Sequence, residues 1–333
     1  MLSDAAIRRL QEAADAPDLS GTKYELVTAL AQGGMGTVYR VRDRELGREV
    51  ALKVIRLPEA SPDIATRMLR EARTLARLEH PGIVPIHDVG RLSDGRVFYA
   101  MKLVRGSPLD ALPPGTLAER LRIVERICEA VAFAHAHGVI HRDLKPQNVM
   151  VGPFGEVLVM DWGVAKLVGD ASTLGAGDGD DTDTDALAAH AAGPTTGHGV
   201  VLGTPGYMAP EQAAGDPALV DTRADVYALG AILRDVSHTA SAEPDGKARR
   251  DLPGRPLEAI IRKAMATDPR DRYGDVTTLA RDVAAFRAGA PVSAYRENLF
   301  ERARRFTFRY STPILLILAY LVMRITLLAV RGR

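Results

Sequence analysis

The residues best suited to chemistry in this chain are the eight consecutive ones at 141–148, which read His-Arg-Asp-Leu-Lys-Pro-Gln-Asn. Asp143 could accept a proton from a hydroxyl group, Lys145 could meet a phosphate, and Asn148 could hold a magnesium ion. Transfer of a phosphoryl group needs little covalent chemistry from a protein, but it needs positioning and charge compensation. The loop therefore indicates a phosphoryl-transfer centre.

A glycine-rich run, Gly33-Gly34-Met35-Gly36, lies between two segments that alternate like β-strands. Glycines let backbone amides approach phosphates because no side chain intervenes. By itself the run is also compatible with a plain hairpin turn. The case for a nucleotide-binding loop is stronger because Lys53 lies one strand further on. From there it could reach the α and β phosphates of a nucleotide. Glu71, on the next predicted helix, could pair with Lys53, although an ordinary surface glutamate is the alternative.

A further carboxylate, Asp161, follows the apolar segment 157–160 directly. It would emerge at the end of a strand, beside the loop that carries Asp143. Magnesium prefers oxygen ligands and keeps several waters, so Asp161, Asn148 and the phosphates of a nucleotide would suffice to bind it. The alternative is an aspartate of a simple turn.

The run at 203–211, Gly-Thr-Pro-Gly-Tyr-Met-Ala-Pro-Glu, completes a set of motifs that resembles the protein kinases. With Gly-Gly-Met-Gly-x-Val-Tyr at 33–39 and the loop at 141–148, the chain is similar in particular to the bacterial Hanks-type (eukaryotic-like) serine/threonine kinases. The resemblance implies an α+β, bilobal protein kinase fold with a small β-rich N-lobe and a larger helical C-lobe. It also implies ATP and Mg²⁺, or Mn²⁺, as cofactors and transfer of the γ-phosphoryl group to protein serine or threonine, including autophosphorylation.

The same resemblance implies roles for individual residues. Lys145 and Thr204 indicate specificity for serine and threonine rather than tyrosine, Glu211 would pair with Arg272, and Asp225 would brace the backbone of the catalytic loop. Residues 101–104 would form the hinge that contacts the adenine edge. The expected catalytic residues are Asp143, Lys145, Lys53 and Glu71. The expected nucleotide-site residues are Ala31, Gly33, Gly34, Gly36, Val38, Ala51, Lys53, Met101, Lys102, Val104, Asn148 and Asp161, with Asn148 and Asp161 as the metal ligands.

Three features depart from the family pattern. Ala31 replaces the first glycine of the nucleotide loop, which adds one methyl group and should leave ATP binding intact. The segment between the predicted helices at 222–235 and 256–267 is short, which leaves little room for a helix that family members use to dock substrates. Residues 169–199 form a polar, acidic insert, which is expected to be flexible because it has too few apolar residues to be ordered by burial.

The insert suggests a hypothesis about regulation. A phosphate on Thr195 or Thr196, or on another threonine of the insert, would order this segment through a charge-assisted contact with Arg142. The other candidates are Thr173, Thr182 and Thr184. Two alternatives remain open: the aspartates of the insert could supply the negative charge constitutively, or the insert could be a spacer without a regulatory effect.

Local signals predict the elements that must position these residues. Alternating apolar residues predict strands at 24–30, 38–43 and 50–55, and helical spacing predicts a helix after Ser61. Thr116 and Glu119 form a capping box, which predicts a helix over 117–137. Further helices are expected at 222–235, 256–267 and 275–288. The expected organisation is a leader (1–20), a kinase domain (21–290, N-lobe to about 103 and C-lobe from about 104), a basic juxtamembrane linker (291–312) and a candidate membrane-spanning helix (313–331).

Composition excludes several other classes of protein. The chain has 333 residues, of which 46% are hydrophobic, so it can bury a sizeable core. Its 43 basic and 42 acidic residues give no global field that would favour nucleic acid. The single cysteine, Cys128, cannot form an internal disulfide, which fits a reducing cytosol. The first residues lack the basic and apolar regions of a cleaved signal peptide.

The C-terminal segment is a candidate membrane span. Residues 314–330 contain eleven Leu, Ile or Val residues and one charge, Arg324. Eleven such residues favour insertion by roughly 5 kcal/mol, against a cost of about 2.5–3.5 kcal/mol for a central arginine. Four arginines within 302–309 precede the segment and two follow it, so the kinase side is expected in the cytoplasm. The alternative is an interfacial helix or a hydrophobic helix docked on a partner. As a separate expectation, the chain could form a dimer.

Two other functions compete with the kinase interpretation. A pseudokinase scaffold is disfavoured because Lys53, Glu71, Asp143, Asn148 and Asp161 are all present. A small-molecule phosphotransferase of related fold would lack the Ala-Pro-Glu run at 209–211 and the lysine two positions after the catalytic aspartate.

Overall fold

The structure, a computed structural model, describes residues 16–33, 36–55, 69, 72–73, 75–162, 206–214, 220–240 and 254–298, with 319–320 and 323–324 near the C-terminus. The described residues form two lobes, a β-rich N-lobe and a mainly helical C-lobe. The expected α+β, bilobal fold is therefore confirmed. The insert at 169–199 and most of the segment 313–331 lie outside the described residues.

The N-lobe is a five-stranded antiparallel sheet in the order β1-β2-β3-β5-β4. Its strands are β1 (Tyr24–Gly33), β2 (Gly36–Asp43), β3 (Arg48–Ile55), β4 (Ile86–Arg91) and β5 (Val97–Lys102). Alternate residues of β3 point to opposite faces, so Ala51 and Ile55 join the core shared with the C-lobe, whereas Leu52 and Val54 join a second apolar cluster. The sheet thus buries both of its faces.

The end of the leader packs on the N-lobe. Leu19 is buried in the second apolar cluster with Tyr24, Leu92 and Phe98. The Tyr24 hydroxyl donates a 2.8 Å hydrogen bond to Asp88 of β4, which ties the first strand to the last one of the sheet.

A small second sheet lies at the top of the C-lobe, in the order β6-β7-β8. Its strands are β6 (Ser107–Pro108), β7 (Val149–Val151) and β8 (Val157–Val159). Asn148 immediately precedes β7, and Asp161 comes two residues after β8. Because β7 and β8 are antiparallel, the start of one and the end of the other meet at the same end of the hairpin.

The helices of the C-lobe are α1 (Leu117–Ala136), α2 (Pro210–Ala213), α3 (Arg223–Ala240), α4 (Arg255–Ala264) and α5 (Val276–Arg287). Short 3₁₀ turns occur at Leu109–Ala111, Pro146–Asn148 and Pro269–Asp271. The capping box of Thr116 and Glu119 at the start of α1 is confirmed. Apolar residues of α1, α3, α4 and α5 share one core, from Val124 and Ile232 to Ile260 and Leu279.

Two predicted helix ends were wrong by several residues. Helix α3 continues five residues beyond the predicted end at 235, because Val236 and Ser237 are buried and keep its packed face in the core. Helix α4 ends at Ala264, three residues before the predicted end, since Asp268 precedes Pro269 and the chain must leave the helical region there. Strand β1 extends to Gly33.

No helix in the described part of the chain is long and apolar enough to cross a membrane.

Candidate active site

The catalytic loop is braced by a buried carboxylate, that of Asp225 on α3. Its two oxygens accept hydrogen bonds of 2.8 Å from the backbone amides of His141 and Arg142. His135 on α1 lies 2.7 Å from the same carboxylate. Burial by itself would raise the pKa of Asp225, but the contacts with His135 and His141 outweigh it and lower the pKa. The predicted bracing role of Asp225 is confirmed.

These amide contacts hold the loop in a conformation that it would not adopt easily alone. Arg142 has a φ angle of 64°, in the left-handed region that residues with a side chain seldom occupy. The two hydrogen bonds to Asp225 offset the cost of this conformation. The next residue, Asp143, is thereby held beside His141, whose ring nitrogen accepts a 3.3 Å hydrogen bond from the Asp143 backbone amide.

Asp143, Lys145 and Asn148 form one polar cluster. The Lys145 ammonium lies 3.1 Å from the Asp143 carboxylate. The Asn148 amide nitrogen donates to the Asp143 backbone carbonyl at 2.8 Å and to its carboxylate at 3.3 Å. Because the amide nitrogen is engaged in this way, the carbonyl oxygen of the Asn148 side chain is the atom that could bind a cation.

Lys53 and Asp161 meet across the cleft, although they are 108 positions apart in the sequence. The Lys53 ammonium donates a 2.6 Å hydrogen bond to the Asp161 carboxylate. Asp161 has a φ angle of 55°, the second left-handed residue with a side chain in the described chain. Burial lowers the pKa of Lys53, but Tyr99 and Asp161 more than offset this effect and the net pKa is raised. Lys53 is therefore a cation that faces the cleft.

Asn148 and Asp161 fit a hard metal ion such as Mg²⁺. The backbone amide of Met160 donates to the Asn148 carbonyl at 2.8 Å, which brings Asp161 next to Asn148 at one end of the β7–β8 hairpin. Both supply oxygen atoms, and Mg²⁺ completes its shell with phosphates and water. No group of three or more His, Cys, Asp or Glu side chains in the described regions could hold a metal.

Gly36, in the described part of the nucleotide loop, is a position that only glycine can occupy. Gly36 has a φ angle of 145°, and a Cβ atom there would lie 2.2 Å from the carbonyl oxygen of Val54. The close approach follows from the pairing of Gly36 with Ile55 at the end of the β2–β3 ladder. Ala31 lies opposite Val38 in the β1–β2 hairpin.

Of the remaining predicted nucleotide-site residues, Ala51, Met101 and Lys102 lie on the neighbouring strands β3 and β5. Ala51 pairs with Met101 between β3 and β5, and both side chains are buried. Lys102 ends β5 and donates its backbone amide to the Pro85 carbonyl at 3.1 Å, and Val104 follows in the connection to the C-lobe. Two predicted residues, Gly34 and Glu71, lie outside the described residues.

Sequence reasoning did not single out Trp162 or Tyr99, which also border the cleft. The Trp162 ring is tilted against the His141 ring at 4.7 Å, and its indole nitrogen donates to the Val159 carbonyl at 3.1 Å. Burial raises the pKa of Tyr99 to about 12. Both residues could have been found from their positions in the sequence. Trp162 directly follows Asp161, and Tyr99 precedes Met101 by two residues on the same strand.

Below the catalytic loop, Glu211 and Arg272 form a buried bidentate ion pair at 2.6 and 2.7 Å, as predicted. Gln212 on α2 donates to the Arg142 carbonyl at 3.0 Å. The Tyr207 hydroxyl donates to Asp235 on α3. The segment at 206–214 is therefore connected to both the catalytic loop and α3. Thr204 lies outside the described residues.

Fold and site together define a protein kinase. The chain belongs to the protein kinase domain family, whose pattern matches residues 24–274. Within this family it is a bacterial Hanks-type serine/threonine kinase domain, which confirms the resemblance inferred from the motifs.

Characterised relatives place the chain more closely. It is 43% identical over 223 residues to RqkA, a DNA damage-responsive serine/threonine-protein kinase of Deinococcus radiodurans, which covers 65% of this chain and 30% of that protein. It is 34% identical over 303 residues to the serine/threonine-protein kinase PknD of Chlamydia pneumoniae, which covers 81% of this chain and 31% of PknD. The chain thus spans about a third of the length of these relatives.

Among solved structures, the kinase domain of PknI from Mycobacterium tuberculosis is similar. It superposes with a TM-score of 0.55 at 28% sequence identity, over 79% of this chain and 95% of that domain. The likeness supports the same two-lobed architecture.

Proposed function

We propose that the chain is an ATP-dependent protein serine/threonine kinase that transfers the γ-phosphoryl group to serine and threonine hydroxyls of proteins, including its own. The observation that carries the proposal is the cluster of Asp143, Lys145 and Asn148 on a loop fixed by Asp225. This cluster unites a proton acceptor, a cation and a metal ligand within a few ångströms.

Each of these residues has a definite task in the proposed reaction. The Asp143 carboxylate orients the attacking hydroxyl and accepts its proton, and the adjacent Lys145 offsets the charge that develops on the transferred group. Lys53 holds the α and β phosphates, and Glu71 is expected to support it. A magnesium or manganese ion, held by Asn148 and Asp161, would neutralise phosphate charge.

The test is phosphoryl transfer from radiolabelled ATP with Mg²⁺ by the whole chain and two variants. We expect Asp143→Asn and Lys53→Met to lose nearly all labelling of the chain and of added protein, because each removes one part of the reaction centre. Asp94→Asn, in an exposed turn of the N-lobe, is the matched control and should label like the wild type. Equal labelling of wild type and Asp143→Asn would contradict the proposal. Nucleotide binding without any transfer would instead indicate an ATP-binding scaffold.

The metal has a test of its own. Chelation should abolish transfer, and Mg²⁺ or Mn²⁺ should restore it in the wild type. Both Asn148→Asp and Asn148→Leu lose the hydrogen bonds to Asp143, but only Asn148→Asp keeps an oxygen ligand. Asn148→Leu should therefore need far more metal for half-maximal rate than Asn148→Asp. Equal metal requirements in both variants would argue against Asn148 as a ligand.

We also propose that residues 313–331 anchor the chain in the cytoplasmic membrane, with the kinase domain on the cytoplasmic side. The support is the apolar sequence and the arginines before it. Membrane fractions washed with alkaline carbonate should retain the chain, and release into the wash would contradict a spanning helix. A peripheral cytoplasmic protein is the alternative.

The proposed regulation concerns the acidic insert. Phosphate on Thr195 or Thr196 would bind Arg142 and order the segment, with dimerisation as one route to phosphorylation between chains. Mapping phosphosites after incubation with ATP tests this idea. Active protein without any phosphate between residues 170 and 200 would exclude it.

A further inference from the structure

The carboxylate of Asp282 on α5 fastens the chain that follows this helix. Its Oδ1 atom accepts a 2.7 Å hydrogen bond from the backbone amide of Ser293. Its Oδ2 atom accepts hydrogen bonds from the Ser293 hydroxyl at 2.8 Å, from the Ala294 amide at 3.0 Å and from the Tyr273 hydroxyl at 2.8 Å. One side chain thus holds two backbone amides that lie eleven and twelve positions further along the chain.

The residues held in this way, 292–295, are called the exit segment. Val292 is buried in the core that the helices of the C-lobe share, and Ala294 and Tyr295 pack against this core. The exit segment is therefore docked on the C-lobe, with the Asp282 carboxylate at the centre of the contact.

Ser293 carries a hydroxyl of the kind that a serine/threonine kinase modifies, and the residue is exposed. Its neighbour Asp282 is a carboxylate at neutral pH. Burial by itself would raise the pKa of Asp282, but the hydrogen bonds from Ser293, Tyr273 and Ala294 outweigh it and lower the pKa. A phosphate on the Ser293 hydroxyl oxygen would remove the donor of one hydrogen bond and bring about two negative charges next to this carboxylate.

We propose that Ser293 is a phosphorylation site, and that its phosphate releases the exit segment from the C-lobe. This inference rests on the proposed function, because the chain itself is the kinase. The Ser293 Oγ atom attacks the γ-phosphorus of ATP, the bond from this phosphorus to the oxygen that bridges it to the β-phosphorus breaks, and ADP leaves. The hydroxyl proton passes to the Asp143 carboxylate of a second copy of the chain. Within one chain, the docked hydroxyl lies on Asp282, whereas Asp143 lies beside Lys145.

Docking and phosphorylation exclude each other in this arrangement. The unmodified hydroxyl donates to Asp282 at 2.8 Å. A phosphate bound through the same oxygen atom is an acceptor only, and at this distance it repels the carboxylate. Release exposes the apolar side chain of Val292 and lengthens the connection between α5 and the residues that follow.

Nearby cations have the opposite effect on an added negative charge. The Lys263 ammonium lies 4.3 Å from the centre of the Tyr273 ring, whose hydroxyl donates to Asp282. Arg296 directly follows the exit segment. Repulsion dominates because Asp282 is in direct contact with the atom that is modified, but the experiment must distinguish it from attraction to these cations.

The modification is tested in a mixture of the wild-type chain and an isotope-labelled Asp143→Asn chain, with ATP, Mg²⁺ and casein. Mass spectrometry maps the phosphates on the labelled chain. We expect phosphate on Ser293, and about fivefold faster modification when the labelled chain also carries Asp282→Asn, because weaker hydrogen bonds leave the hydroxyl undocked more often. Phosphate on casein without phosphate on Ser293 would overturn this inference alone. No transfer to any protein would overturn the proposed function, and this inference with it.

Release is measured by hydrogen exchange at the Ala294 amide, which donates to Asp282. Ser293→Glu imitates the phosphate, and Ser293→Gln is a matched control of the same size without the charge. We expect protection of the Ala294 amide to be about tenfold lower in Ser293→Glu than in Ser293→Gln. Amides in the middle of α1 should exchange as in the wild type. Equal protection in the two variants, or higher protection in Ser293→Glu, would overturn the release.

The same comparison in the Asp282→Asn background identifies the group that repels the charge. Without the carboxylate, Ser293→Glu and Ser293→Gln should protect the Ala294 amide equally. Thr277→Glu, at an exposed position of the same helix, should exchange like the wild type. A tenfold difference that persists without the carboxylate would show that the added charge acts through another group, and would overturn the role of Asp282.

Discussion

The guanidinium of Arg272 and the carboxylate of Glu211 form a bidentate pair, in which the arginine side chain is completely buried. The remaining guanidinium hydrogens donate to the backbone carbonyls of Ala266, Thr267 and Arg223. The pair thereby joins the segment after the insert to the loop between α4 and α5. It is a structural connection, remote from the reacting atoms.

Removal of one partner should leave an uncompensated buried charge. We expect Arg272→Met to lower the free energy of unfolding by about 3–5 kcal/mol, because Glu211 would remain without its ion pair. Chemical denaturation measures this change. Arg287→Met, which breaks the exposed pair with Glu125, is the control and should cost far less, because solvent screens an exposed ion pair. A similar decrease of the free energy of unfolding in both variants would contradict a larger contribution from the buried Glu211 pair.

Gly36 should not tolerate a side chain. In Gly36→Ala the new methyl group would meet the Val54 carbonyl, so the β1–β2 hairpin must shift. We expect a lower melting temperature and weaker ATP binding. Gly47 also has a positive φ angle, of 62°, but has nothing within 4 Å of an added Cβ atom. Gly47→Ala should therefore cost only the conformational strain, about 1 kcal/mol, and should bind ATP normally.

Trp162 should report on the nucleotide site, because it is the single tryptophan of the chain. Its ring is buried beside His141, so its emission should be shifted to the blue and should change when ATP with Mg²⁺ binds. Asp161→Asn, which weakens the proposed metal site, should reduce the change. An emission spectrum typical of an exposed indole would contradict the buried position.

Replacement of Trp162 by phenylalanine should have a modest effect. The aromatic contact with His141 would be kept, and the hydrogen bond to Val159 would be lost. We expect a loss of about 1 kcal/mol in the free energy of unfolding, with more activity retained than in Trp162→Ala, which would leave a cavity. Equal losses in the two variants would show that the ring contact is unimportant.

Stability should fall with acid in two steps, because burial lowers the pKa of His141 and the contacts with His135 and His141 lower that of Asp225. For both groups the unfolded chain binds protons more readily than the folded one, so stability rises with pH. The contribution of His141 is complete above about pH 6.5, and that of Asp225 above about pH 4. Each is lost as the pH falls towards the lowered pKa of the folded state.

Denaturation midpoints between pH 3 and 8 test this prediction. Asp225→Asn should flatten the step below about pH 4, even though the variant is less stable throughout, since an amide does not titrate. Burial also lowers the pKa of His87. His87 is therefore replaced by asparagine in the reference protein and in Asp225→Asn, so that it does not contribute to the step assigned to His141. An acid step of the same size in Asp225→Asn would contradict the role of this carboxylate.

Much of the site could be predicted from local sequence. The spacing of Asp143, Lys145 and Asn148 within one loop, and of Glu211 after Ala-Pro, identified the kinase family before any fold was known. The capping box at Thr116 and Glu119 defined the start of α1, because its hydrogen bonds join residues three positions apart. Helix ends were less accurate, since burial of Val236 prolonged α3 beyond its local signals.

The sequence by itself therefore determined the family, the two-lobed fold class and the set of residues available for phosphoryl transfer. Only the tertiary structure decided that Lys53 meets Asp161, that Asp225 braces the loop at His141, and that Trp162 packs on it. These contacts join residues far apart in the chain, and their geometry depends on strand register and on the packing of both lobes. No local pattern encodes these distances, because they arise only when the whole core is assembled.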